Sequence, residues 1–134
     1  MTRRTHFTIG LGRAAALGLA LAIASGTAWA GDPAAGKTVF KKCAACHSLE
    51  PGKKKVGPSL HGVIGRTAGT LKGFRYSKAM KAYGASGIVW SEDTLNAYLA
   101  APRKVVKGTK MAFPGLKKEQ QRADVIAYLK QAAE

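Results

Sequence analysis

Long apolar runs, repeats and strand-like alternation are missing from this 134-residue chain, and acidic side chains are few. The uninterrupted apolar stretch near the start, Ala14 to Ala24, is 11 residues, whereas a membrane-spanning helix needs about 20. A retained anchor is therefore not expected. Only seven Asp and Glu stand against 22 Lys and Arg, which points to negatively charged partners. Two cysteines rule out a multi-disulfide framework. The length excludes more than one ordinary domain, and no segment alternates as a half-buried strand does.

What is present begins with a leader pattern. Arg3, Arg4 and Arg13 precede or open the apolar run, and Ala28-Trp29-Ala30 follows it. Charge, apolar stretch and small residues in that order are a secretory signal peptide, so residues 1–30 are expected to be removed after Ala30. Arg3-Arg4 with Phe7 is the only hint of the twin-arginine route. The general secretory route is favoured, with the periplasm as destination. The remaining domain, residues 31–134, holds 104 residues with 19 basic and 7 acidic side chains, a formal +12. A chain this short buries a modest core and often needs a metal or cofactor to complete it.

The expected class is all-α with long loops. Asp32-Pro33 reads as an N-cap followed by proline at the first helical position, opening a helix towards Cys43. Ser48 to Lys72 carries five glycines and two prolines and reads mostly as loop. Ser77 to Tyr83 predicts a short helix ended near Gly84. Ser91-Glu92-Asp93 caps another, with two acids where the helix dipole favours them, running to about Ala101 and stopping at Pro102. About Lys118 to Ala133 forms the last helix, with Val125, Tyr128, Leu129 and Ala132 on one face.

Cys43-Ala44-Ala45-Cys46-His47 is the c-type haem attachment signature. Three residues of helix rise about 4.5 Å and nearly complete a turn, so both thiols face one side. They can add to the two vinyl groups of one porphyrin, and the adjacent histidine is carried beneath the iron. Bare C-x-x-C also serves thiol–disulfide exchange and zinc half-sites. Zinc needs four ligands; the exported part offers only Cys43, Cys46, His47 and His61, with no second cysteine pair and no paired histidines to follow. A thiol–disulfide catalyst would sit in a βαβ context, which is not evident. A methionine or histidine on the far side of the iron favours electron transfer, and an open position favours ligand binding. Met80 falls in a helix where packing is the default role. Met111 falls in the loop Lys107 to Gly115; a loop methionine alone says little.

The surroundings of these residues resemble a class I cytochrome c of the mitochondrial and α-proteobacterial branch. The resemblance rests on the attachment motif, Gly57-Pro58-Ser59-Leu60-His61-Gly62, Gly65-Arg66, Gly73-Phe74-Arg75-Tyr76-Ser77 and Trp90. It continues through Glu92-Asp93-Thr94-Leu95, Tyr98-Leu99, Pro102, Gly108-Thr109-Lys110-Met111, Phe113, and Arg122 with Asp124 to Lys130. It implies a single-domain fold of long loops around one haem c, with the first and last helices crossing at Gly36, Phe40 and Tyr128. It implies iron ligation by His47 and Met111, and a Pro58 carbonyl that orients the His47 ring. Arg66, Tyr76, Trp90 and Thr109 would serve the haem propionates, and Tyr98 would lie beside the methionine sulfur.

This chain departs from the family at several points. Met80 stands where mitochondrial members carry an asparagine of an internal water network, three extra residues lie around Tyr83 to Ser86, one is missing between His47 and Gly57, and Lys107 replaces a proline. The implied activity is one-electron transfer, not catalysis, between a quinol-oxidising complex or dehydrogenase and a terminal oxidase. A labile Met111 would instead give peroxidase-like activity or ligand sensing. Lys41, Lys42, Lys104, Lys107 and Lys110 are expected to ring the haem edge and steer acidic redox proteins, while Lys53-Lys54-Lys55 reads as a solvated loop. The protein is expected to be a monomer that does not bind nucleic acid, and its basic surface is compatible with peripheral contact to anionic membrane.

Overall fold

The computed structural model describes residues 30–133. The leader, apart from Ala30, lies outside the described residues. Five helices follow: α1 Pro33–Ala44, α2 Lys78–Ala85, α3 Glu92–Ala100, α4 Pro102–Val105 and α5 Glu119–Ala132. The all-α class holds; among the described residues the only β pairing is one isolated bridge, Thr67 with Val89.

The first helix starts where its cap chemistry dictates. The Asp32 carboxylate accepts from the Ala34 N–H at 2.8 Å, and Pro33, which has no N–H to leave unsatisfied, occupies the first turn. Asp32 also donates its own N–H to the Asp124 carboxylate at 2.9 Å. Asp124 is buried on α5 and accepts a second bond from Gln120 at 2.7 Å. A buried carboxylate supplied in this way ties the start of α1 to the middle of α5.

The crossing of α1 and α5 is the main helix–helix contact, with α3 also lying against α5. At Gly36, a Cβ would sit on the Asp124 carbonyl and 2.8 Å from the Tyr128 Cβ. Phe40 and Tyr128 fill the flank, ring centroids 5.5 Å apart. Val39, Phe40, Val125, Ile126 and Leu129 are buried there. Gly36→Val is expected to push the two backbones apart. Overpacking of this kind costs about 1–3 kcal/mol or more, and each kcal/mol lowers Tm by about 4–8 °C in a domain of this size. A thermal melt of the haem-loaded protein checks it; an unchanged Tm would contradict the close crossing.

α2 ends at Ala85, near Gly84 as expected. What Gly84 itself supplies is clearance: a Cβ there would collide with the Ala68 carbonyl, 2.7 Å from its carbon, and the positive-φ glycine that turns the chain is Gly87, at 87°. Pro102 does stop α3 at Ala100, but it also starts a further turn, α4, as its N1 residue. Elsewhere the local signals match. Ser77 caps α2 by accepting from Met80 N–H at 3.0 Å. Ser91 and Thr94 form a reciprocal capping box on α3.

The stretch from residue 45 to residue 77 contains no helix. Its shape is held by specific bonds instead. Leu60 N–H donates to Ser48 O at 2.8 Å, Gly65 N–H to Trp90 O at 2.8 Å, and Trp90 N–H to Arg66 O at 2.9 Å. Gly62 N–H donates to Ala133 O, which brings the end of α5 onto the same loop. The Ser59 side chain is buried and donates to Glu50 O at 2.6 Å.

Candidate haem site

The attachment motif continues the last turn of α1. Cys46 and His47 N–H groups both donate to Cys43 O, at 3.0 and 2.9 Å, and Ala45 keeps helical backbone angles. Cys43 packs half-buried against the core, and Cys46 is exposed. Burial pushes the Cys43 thiol pKa up, against the pull of neighbouring Lys42. It is held as a neutral thiol and is not a ready thiolate catalyst.

The chain then returns over His47. Gly57 N–H donates to Cys46 O at 2.8 Å, and Lys55 Nζ donates to Ala44 O. Gly57 lies flat against the imidazole: a Cβ there would fall 2.8 Å from Nδ1 and 2.9 Å from Nε2. The next residue supplies the orienting bond, with His47 Nδ1 2.7 Å from Pro58 O. A carbonyl only accepts, so Nδ1 carries the proton and Nε2 keeps its lone pair. Burial lowers the His47 pKa, aided by Lys55 and opposed by the Pro58 bond. The ring is a neutral, aimed nitrogen donor.

The second donor sits in the turn after α4. Thr109 N–H donates to Val106 O at 3.0 Å, Gly108 turns the chain at φ 90°, and Met111 N–H donates to Thr109 Oγ1 at 3.2 Å. The loop leaves through Leu116 N–H on Leu99 O at 2.7 Å. Lys107 is exposed and leaves these bonds in place. Met111 packs against the core, and Tyr98 O–H points at its Sδ at 3.9 Å. Burial raises the Tyr98 pKa, while its bond to Thr109 works against the rise. Met80 is buried on α2 as a core residue.

The other predicted residues fall into two groups. Arg66 and Trp90 are joined through their backbones, and the Arg66 charge acts on Tyr76, whose pKa burial raises. The Arg66 guanidinium donates to His61 O at 3.0 Å and Ser59 O at 3.1 Å, and burial lowers its pKa. Trp90 stacks obliquely on Tyr98, centroids 5.0 Å apart, and the Tyr98 hydroxyl reaches Met111 Sδ, whose backbone N–H bonds Thr109 Oγ1. Thus Arg66, Tyr76 and Trp90 are linked on one side, and Trp90, Tyr98, Thr109 and Met111 on the other.

Three contributors were not assigned these roles from sequence. Gly57 controls the His47 ring by close approach, Ser59 anchors the loop beneath it, and Arg122 ties the exit of the methionine loop to α3. Arg122 donates to Asn96 Oδ1 at 2.7 Å, Leu116 O at 2.8 Å and Lys117 O at 3.1 Å. Nothing local in the sequence signals an arginine's carbonyl partners. The Lys53–Lys55 loop is exposed as expected, yet each lysine has a partner: Glu50, Gly73 O and Ala44 O respectively.

The donor chemistry fits a haem. Two thiols lie on one turn, one nitrogen is fixed as a lone-pair donor, and one thioether is steadied by a phenol. Among the described residues, no three His, Cys, Asp or Glu gather to hold a metal ion directly. Comparison with known proteins agrees. Residues 33–133 match the family model described as cytochrome c. Cytochrome c2 of Rhodoblastus acidophilus is 55% identical over 103 residues, covering 76% of this chain and 94% of its own length. Cytochrome c of Ginkgo biloba is 51% identical over 104 residues, covering 76% and 89%. Cytochrome c2 of Blastochloris viridis is 49% identical over 112 residues, covering 83% and 86%. With Cys43 and Cys46 in the haem-binding position and a match across nearly the whole described chain, the protein belongs to the cytochrome c family: it is a single-haem electron carrier with covalently bound haem c.

Proposed function

We propose that this cytochrome is exported, loses its leader after Ala30, and carries single electrons in the periplasm from a quinol-oxidising complex or dehydrogenase to a terminal oxidase. His47 Nε2 and Met111 Sδ would hold the haem iron. The observation that carries the assignment is the 2.7 Å contact of His47 Nδ1 with Pro58 O, which leaves Nε2 the only free ring nitrogen. Bound there, the haem supplies a one-electron iron couple. A thioether ligand stabilises the reduced state, and a potential on the high side of the cytochrome range follows.

The protein's own residues hold and insulate the group. Cys43 and Cys46 tether it. The Pro58 carbonyl fixes the tautomer and the angle of His47. Tyr98 and Thr109 steady the sulfur side, while Arg66, Tyr76, Trp90 and Thr109 supply polar atoms for the propionates. A donor set fixed in this way changes little when the charge on the iron changes, which favours rapid transfer in both directions.

Docking falls to the basic rim. Lys41 and Lys42 are exposed on the last turn of α1, Lys104 on α4, and Lys107 and Lys110 in the methionine loop. These elements flank the two proposed ligands, so a partner meeting the rim with acidic side chains is brought to the haem edge. The same rim suits peripheral contact with anionic lipid. No described helix is long and apolar enough to cross a membrane. Electrostatic steering raises association rates by about 10–1,000-fold. Replacing Lys104, Lys107 and Lys110 together by Gln is expected to slow bimolecular oxidation by a terminal oxidase about tenfold or more at low salt, and to flatten the dependence on ionic strength. Stopped-flow kinetics across a salt series checks this; an unchanged rate and slope would remove the rim from the docking surface.

A further inference from the structure

The basic surface has one acidic exception. Where the chain enters α1, an open cleft of about 650 Å³ lies against the starts of α3 and α5, lined among others by Ala30, Gly31, Glu92, Asp93, Glu119 and Lys130. Asp32 and Asp124 stand beside it, joined through the Asp32 N–H. Five of the chain's seven acidic side chains are thereby gathered at one place. Lys130 is the one basic side chain in the lining, and it is taken up by Glu92. Arg122 reaches only the edge, where it holds Asn96. Among the described residues, Asp93 and Glu119 have no cationic partner. Both sit in the first turn of a helix, which explains part of their presence, since a helix start carries about half a positive charge. The starts of α1, α3 and α5, together with Lys130 and Arg122, offset about three to four of the five carboxylates. One or two negative charges are left over, in a domain whose formal charge is +12.

Gly31 is seated in this cleft. A Cβ on it would collide with the Ala123 carbonyl and lie 3.0 Å from the Ala127 Cβ, so only glycine lies flat against α5 here. The next residue is pinned by the bond from Asp32 N–H to Asp124 at 2.9 Å. Ala30 is exposed and Gly31 half-buried, so the chain enters the cleft at the same bond that leader removal would cut.

We propose that leader removal completes the cleft: the α-ammonium freed on Gly31 is its missing cation and ties the start of α1 to α3 and α5 in the processed protein. The inference rests on cleavage after Ala30. Hydrolysis of the Ala30–Gly31 bond consumes one water, leaves a carboxylate on the departing leader and a protonated amine on Gly31. Before the cut that nitrogen is a neutral amide, and the excess negative charge stays unmatched. After it, the carboxylates hold the amine protonated above its ordinary range of about 7.7–8.0. Outside such a cleft, the positive field of the domain would push the amine the other way. A folded pKa raised in this manner gives stability that is complete below the ordinary range and is lost as pH rises through the folded value.

The test uses the haem-loaded protein, reduced to diamagnetic ferrous iron and labelled with carbon-13 glycine, with the Gly31 Cα shift followed from neutral to alkaline pH. The amine is expected to titrate about half a pH unit or more above the ordinary range at low salt. Asp93→Asn combined with Glu119→Gln brings it back into that range. A chain that keeps Ala30 as its first residue carries the amine out of the cleft, titrates ordinarily, and melts at a lower Tm near neutral pH, the difference closing at alkaline pH. An ordinary or lowered value at Gly31 overturns the inference, as does a raised value that survives the double substitution or is equal in the extended chain. N-terminal sequencing of the protein recovered after export separates the two readings. If it begins at Gly31 and the amine titrates ordinarily, the cleft inference alone falls. If it begins elsewhere, the cleavage reading falls and takes the inference with it.

Discussion

Met111→Ala is expected to erase the sulfur-to-iron charge-transfer absorption, leave the haem covalently bound, and lower the midpoint potential by on the order of 0.1 V or more, within the roughly 0.8 V that axial ligation spans. The thioether is the softer of the two proposed donors and favours ferrous iron; removing it leaves a site open to water or exogenous ligand. The loop itself should survive. Its turn depends on Gly108, on Thr109 N–H bonded to Val106 O, and on Leu116 N–H bonded to Leu99 O, none of which uses the Met111 side chain. Carbon monoxide binding to the reduced variant, set against none in the unaltered protein, gives a second readout. Survival of the band would move the ligand role to Met80, the only other described methionine.

Gly57→Val acts on the opposite face with comparable force. This glycine has no positive φ to satisfy, so the substitution is not resisted by backbone strain. Space is what forbids it: the first carbon of any side chain would fall within the His47 ring's own contact radius. Either the ring tilts, and the Pro58 bond at 2.7 Å is lost, or the loop lifts and the bond from Gly57 N–H to Cys46 O breaks. Overpacking of this kind costs about 1–3 kcal/mol or more, and each lost hydrogen bond about 1 kcal/mol. The expected result is a sharp fall in the yield of haem-loaded protein, with the recovered fraction showing high-spin rather than low-spin iron. A normal yield with an unaltered low-spin spectrum would show that Gly57 does not govern the histidine.

The fold was legible in sequence where local chemistry decides it. Asp32-Pro33, Ser77 and Ser91 each cap the helix predicted from them, because capping needs only a side-chain oxygen a few residues from its N–H. The apolar face of α5 was readable for the same reason. Pro102 stops α3 as expected, but that it also opens α4 was not readable, because proline suits the first turn of a helix as well as the end of one and only the chain's direction after Ala101 decides. Gly84 stands near the end of α2 as expected, but its need for clearance was not readable, because the obstacle, the Ala68 carbonyl, is sixteen positions away.

At the site, the motif gave Cys43, Cys46 and His47 directly through spacing. Met111 was not separable from Met80 without the resemblance, since a loop methionine carries no periodicity of its own. The geometry supports the proposed choice: Met111 has a phenol aimed at its sulfur, and Met80 is buried on α2 among core side chains. Arg66 shows the opposite problem. The resemblance implied a propionate role, yet its guanidinium already serves two backbone carbonyls. Five N–H donors leave it capacity for both tasks.

The most direct test of the central claim is a visible spectrum of the purified protein, recorded reduced and oxidised before and after acid–acetone extraction. Colour that stays with the polypeptide, at one iron per chain, in a low-spin spectrum with the sulfur-to-iron band and no response to carbon monoxide is the predicted result. Colour that extracts into the solvent, or a colourless protein from a host able to attach haem, would contradict it.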